Sequence, residues 1–117
     1  MTNAALERKA QDLIILSVGG LSSVTDYFIV CSGTSDRQVR AIADSIEKRM
    51  KEWGVIARGI EGRQSGGWIL MDYGDVVVHV FHQPVREFYD IERLWSDAPV
   101  MKVEESTHSI DSLNDDM

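Results

Sequence analysis

The stretch "WILMDYGDVVVHVFH", residues 68–82, constrains this chain more than any other. Two runs rich in β-branched and aromatic residues flank a Tyr-Gly pair, which reads as a β-hairpin. Gly74 suits the second turn position because glycine accepts a positive φ. With Tyr73-Gly74 at the turn, Asp72 faces Asp75, Leu70 faces Val77 and Trp68 faces His79. Side chains alternate between the faces of a strand. One face therefore carries Trp68, Leu70, Asp72, Asp75, Val77, His79 and Phe81. The other carries Ile69, Met71, Val76, Val78, Val80 and His82, is almost wholly aliphatic, and is expected to be core.

The same alternation judges the polar residues. Asp72, Asp75, His79 and His82 have the chemistry of metal ligands or of an acid–base pair. His79 and His82 point to opposite faces, so they cannot chelate one ion. Four residues at ~3.3 Å each put His79 roughly 13 Å from the acidic turn, beyond hydrogen-bond reach. No metal or catalytic site is expected. Like charges set opposite one another cost stability, so two aspartates beside an aromatic face suggest a surface that binds something basic.

Elsewhere the clearest signal is a helix. Val39, Ile42, Ala43, Ile46, Met50 and Trp53 form one stripe at helical spacing. Ser35 with Gln38 is a capping box at its start, and Gly54 is a stop. A short helix around Leu6 and Ala10 precedes strands at 13–18 and 26–32. A weaker strand is expected at 55–62. After Pro84, tolerated in a first helical turn, "VREFYDIERLW" puts Phe88, Ile91 and Trp95 on one stripe, with Tyr89 off it as a secondary contact. The order is αββαβββα: a mixed α/β fold with a sheet of about five strands flanked by helices. Residues 1–99 form this single domain. Residues 100–117 hold one lysine and five acids without periodic apolar residues, and are expected to be a disordered acidic tail.

The formal charge of −7 lacks the cationic excess that phosphate neutralisation demands, which disfavours direct nucleic-acid binding. A basic protein partner is the better electrostatic match. No apolar run is long enough to cross a bilayer, and "MTNAALERKAQDL" resembles neither a secretory signal nor a transit peptide, so a cytoplasmic location is expected. Cys31, the lone cysteine, ends an apolar strand and reads as an inert core thiol. "SGTSDRQ" (32–38) leads a glycine turn into a helix N-terminus. It lacks the P-loop lysine, and Asp36 would repel a phosphate.

"TDYFIVCSGTSDRQVRAIADSIEKRM" followed by "GWILMDYGDVVVHVFHQPVREFYDIERLW" resembles the ribosomal silencing factor family, also called the Iojap family. The likeness runs from about Ala10 to Pro99 and keeps segment order and spacing. It implies a fold related to the nucleotidyltransferases. It also implies a bacterial-type or organellar factor, the bacterial version favoured by the lack of a transit-peptide pattern, that binds the large ribosomal subunit through its basic fourteenth protein. There such a factor blocks joining of the small subunit and lowers translation when nutrients are short. The resemblance implies no cofactor and leaves open a homodimer of the free chain. Trp68, Asp72, Tyr73 and Asp75 fall in the family's "W…DYGD" segment, and the resemblance makes Trp68 and Phe81 the apolar anchors and Tyr73 a cap on the turn. Asp72 and Asp75 would then meet basic side chains, with Tyr89 as a further contact. The alternatives are a nucleotidyltransferase-like nucleotide-binding protein and a ribosome-assembly adaptor. Against the first, such enzymes want two carboxylates at D-x-D spacing on one strand to hold magnesium, whereas Asp72 and Asp75 are spaced D-x-x-D across a turn.

Overall fold

A computed structural model describes residues 1–103 of the chain. The elements run α1 (Thr2–Glu7), β1 (Gln11–Ser17), β2 (Tyr27–Gly33), α2 (Asp36–Glu52), β3 (Gly59–Glu61), β4 (Trp68–Asp72) and β5 (Val76–His82). They end with α3 (Gln83–Tyr89), α4 (Ile91–Leu94) and β6 (Val100–Val103). Six strands form one sheet in the order β3-β4-β5-β2-β1-β6. Among the described residues only the central β2–β5 pair is parallel, joined by the long connection that contains α2. The sheet is mixed, as expected, and gains an unforeseen strand. The domain boundary placed at residue 99 falls just before β6, which pairs antiparallel with β1. Four residues with no alternation of their own take strand form because β1 offers them an open edge. The remaining expectation, a disordered acidic tail, lies outside the described residues.

The capped helix is built largely as its sequence implies. Ser35 Oγ accepts the Gln38 N–H at 3.1 Å. Gln38 reaches back to the Thr34 N–H at 2.6 Å rather than to that of Ser35, and its amide also donates to the carbonyls of Arg8 and Lys9. The cap therefore also holds the end of α1. Val39, Ile42, Ala43 and Ile46 are fully buried against Ile69, Met71, Val78 and Val80, the aliphatic face of the hairpin. Trp53 departs from the stripe and is 77% exposed, because α2 stops at Glu52 and carries the indole beyond the sheet.

The hairpin register differs from the expected one by two residues. Trp68 pairs with Phe81, Leu70 with His79 and Asp72 with Val77. The Tyr73 N–H bonds the Val76 carbonyl, so the turn centres on Gly74-Asp75. Gly74, with φ +86°, occupies the first central position, where type II′ hairpin turns require glycine. A one-residue slip would invert every side chain; a two-residue slip leaves each on its predicted face.

That second face is not simply outward. Ile14, Leu16, Val30 and Phe81 form a second core cluster with Ile91 and Ala98, to which Val85, Trp68, Phe28 and Trp95 add partly buried surface. The last helical segment also breaks. Asp90 adopts φ +46° and separates α3 from α4, which throws Phe88 off the Ile91–Trp95 side.

Candidate docking face

Trp68 opens β4 because the loop before it can come close. Gly62 has φ +86°, and a Cβ there would lie 1.9 Å from the Trp68 carbonyl oxygen. The indole stacks on Phe81 at 4.8 Å between centroids and meets the Tyr89 ring at 5.1 Å. Its Nε1–H donates to His79 Nδ1 at 3.1 Å. Beside them Phe28 packs edge-on against His79 at 4.8 Å and against Trp95 at 5.2 Å. Outside this cluster stand Tyr89, 53% exposed, and Phe88, 80% exposed, in mutual edge contact at 5.1 Å. Leu94 is also exposed, and Leu70 and Val77 are half-buried on the same face of the sheet.

The predicted contact residues divide among several environments. Trp68 and Tyr89 belong to one aromatic surface. Phe81 is fully buried beneath Trp68 and supports it; the expectation of a second exposed anchor is corrected, because the second core cluster closes over that end of β5. Asp72 shares Trp68's side of β4, and its Oδ1 accepts the Gly74 N–H at 2.8 Å. It braces the turn and opposes Val77, so the expected cross-strand pairing of Asp72 with Asp75 does not form. Asp75 is exposed at the tip, and its carbonyl accepts the N–H groups of Asp26 and Tyr27. Tyr73 packs on the α2 side of the sheet, away from Trp68. Its hydroxyl is buried without a partner. Burial, and then the negative charge of Glu47, push its pKa up, while Arg63 opposes them.

Sequence reasoning missed three contributors. His79 is only 5% exposed, and burial lowers its pKa to about 4, so the ring is neutral near pH 7. Phe88 shares a stripe with Ile91 and Trp95 only if the helix runs on through Asp90; the signal against it is an aspartate, a residue that tolerates the left-handed region. Arg86, buried, holds the break in place. It donates through Nε to Glu92 at 2.9 Å and through Nη1 to the Asp12 carbonyl and Ser32 Oγ, each at 2.8 Å. One guanidinium thus joins α3, α4, β1 and β2. A groove lined by Leu6, Asp12, Arg86, Glu87, Asp90 and Lys102 shares no residue with the aromatic cluster.

The candidate nucleotide elements are far apart. Gly33 pairs with His82 at one end of β5, whereas Asp72 pairs with Val77 near the other. Five residues at ~3.3 Å separate the glycine turn from the acidic one by roughly 16 Å. The Thr34 and Gln38 N–H groups at the helix start are already taken by Gln38 and Ser35. His82 lies beside Asp36, Nδ1 to Oδ1 3.6 Å, on the opposite face from His79. Among the described residues no three His, Cys, Asp or Glu side chains converge as metal ligands, and no helix is long and apolar enough to cross a membrane.

Comparison with known proteins adds a family to this geometry. The family model described as "Ribosomal silencing factor during starvation" matches residues 1–116. A ribosomal silencing factor from Halalkalibacterium halodurans is 42% identical over 102 residues, 87% of each chain. A mouse protein named for mitochondrial assembly of the ribosomal large subunit is 31% identical over 93 residues, 77% of this chain and 41% of its own. A crystal structure of a Chromobacterium violaceum protein superposes with a TM-score of 0.80 at 46% identity, covering 81% of this chain and 79% of that one.

Proposed function

This chain belongs to the ribosomal silencing factor family, and on that premise we propose that it is a non-enzymatic silencer acting on the large ribosomal subunit. It binds the subunit's basic fourteenth protein, occludes the surface on which the small subunit would land, and lowers translation when nutrients are limiting. Its place of action is the cytoplasm. The observation that carries this reading is the family match, which spans nearly the whole chain.

The aromatic face fits the role physically. Trp68 is half-buried on a fully buried Phe81 and flanked by exposed Tyr89, which Phe88 meets edge-on, the type of rigid aromatic anchor that dominates interface energetics. Asp75, at the hairpin tip, supplies charge for a cationic partner. Phosphoryl transfer is a poor fit, because the acidic turn and the glycine turn sit at opposite ends of β5 and cannot form one metal–phosphate clamp.

The test is sedimentation of separated ribosomal subunits with the full chain. The protein is expected in the large-subunit fraction and is expected to reduce formation of joined ribosomes. Recovery of the protein with neither subunit, or unchanged joining despite binding, overturns the reading. The name of the mouse relative favours a second role in large-subunit assembly. That role would show as accumulation of subunit precursors on depletion, with joining of finished subunits unaffected. Calorimetry with magnesium and nucleoside triphosphates checks the enzymatic alternative, and equilibrium sedimentation of the free chain checks the homodimer.

A further inference from the structure

We infer that His79 is a positioning residue of the docking face, holding the Trp68 indole in its docking orientation at a cost to the stability of the free protein. The inference rests on the docking role of Trp68 proposed above. Trp68 and His79 are not cross-strand partners; the indole reaches diagonally from opposite Phe81 to place Nε1–H on Nδ1 at 3.1 Å. An imidazole that accepts at Nδ1 carries its proton on Nε2. That Nε2 is buried and has no hydrogen-bond partner. The ring is enclosed by Phe28 edge-on at 4.8 Å and by Phe81, parallel to it at 6.1 Å.

Packing alone does not call for histidine here. A phenyl ring fills much the same space and leaves no orphaned N–H, and an unpaired buried donor is destabilising. What a phenyl ring cannot do is accept the indole proton. Trp68 is half-buried, so without His79 its N–H could turn to water, and the ring would turn with it. The hydrogen bond directs the polar edge of the indole toward the sheet, so a partner meets its hydrocarbon surface and need supply no acceptor. Tyr89 then lies against a ring of defined tilt, with 46° between the planes.

The variants His79→Phe and His79→Gln in the full chain separate positioning from packing. In ¹H–¹⁵N spectra the Trp68 Nε1–H, assigned by Trp68→Phe, is expected to be slow to exchange in the wild type. In His79→Phe it should shift and exchange faster, and in His79→Gln, whose side-chain oxygen can accept, protection should partly return. His79→Phe should melt at or above the wild-type temperature yet bind large subunits about tenfold more weakly, the effect of one hydrogen bond. Gln should recover part of that affinity. A wild-type indole that exchanges like an exposed one overturns the inference, as does a His79→Phe protein that loses melting temperature and binding together. Should Trp68→Ala itself retain large-subunit binding, the docking role of Trp68 fails, while the exchange and melting results still decide the tie between the two side chains.

Discussion

Arg86 and Glu92 form an ion pair at 2.9 Å across the helix break at Asp90, one member buried and the other a third exposed. This asymmetry predicts which deletion hurts more. Glu92→Ala strands a buried guanidinium without its counter-charge, a loss on the order of 3 to 5 kcal/mol. Arg86→Met removes the charge and leaves Glu92 able to find water, so the expected loss is about 1 to 3 kcal/mol from the unpaired Asp12 carbonyl and Ser32 hydroxyl. Urea unfolding of both variants checks the order, and Arg86→Met being the worse of the two would contradict it.

At the proposed docking face, anchor and rim should differ in size of effect. Trp68→Ala is expected to weaken large-subunit binding by ~2 kcal/mol or more. Asp75→Asn, at the exposed turn, should cost ~0.2 to 1 kcal/mol, an effect that shrinks as salt is raised. Binding titrations at two ionic strengths measure both. Survival of binding in the Trp68→Ala/Asp75→Lys double variant would place the interface elsewhere.

His79 makes the fold sensitive to mild acid. Its folded pKa of about 4 lies below the ordinary value of 6.5, so the unfolded chain takes up this proton first as pH falls. The stabilisation is complete above pH 6.5 and is lost progressively down to about pH 4, on the order of 3 kcal/mol in total. Phe28, Trp68 and Phe81, packed on the ring from β2, β4 and β5, bring no ionisable group to offset it. Melting curves between pH 7 and pH 4 should fall more steeply for the wild type than for His79→Phe. Parallel curves would mean that the buried ring does not control this window.

Two positions of the stripe expected from the sequence should respond unequally. Ile46, fully buried, should cost ~2 to 5 kcal/mol as Ile46→Ala. Trp53, exposed at the helix end, should stay within ~0.5 kcal/mol of wild type as Trp53→Ser. Chemical denaturation distinguishes them. A large loss from Trp53→Ser would show that the indole covers more of the core than its exposure indicates.

Patterns with a short period were legible in the chain itself. Alternation in 68–82 sorted the β4 and β5 side chains to their observed faces even though the register was off by two residues, because parity survives a shift of two; Asp75, placed on the Trp68 face, sits in the turn instead. The cap at Ser35 and the buried stripe from Val39 to Ile46 follow from the geometry of one helix and need no distant partner. The candidate site was legible only in part. Trp68 and Tyr89 do share one aromatic surface, but that Phe81 is buried beneath it and Tyr73 lies on the other side of the sheet depends on what covers each face.

What covers the sheet is a tertiary matter. Phe81 is buried because Ile91 and Ala98 close over it, and Tyr73 lies on the far side because β4 continues its alternation toward α2. β6 exists because β1 had a free edge, and the break at Asp90 is held by an arginine whose partners come from β1, β2 and α4. The sequence by itself determined which residues share a face within one unbroken helix or strand, since that depends on the repeat of the element. The tertiary structure alone decided which part of each face stays open, since coverage depends on contacts between residues far apart in the chain.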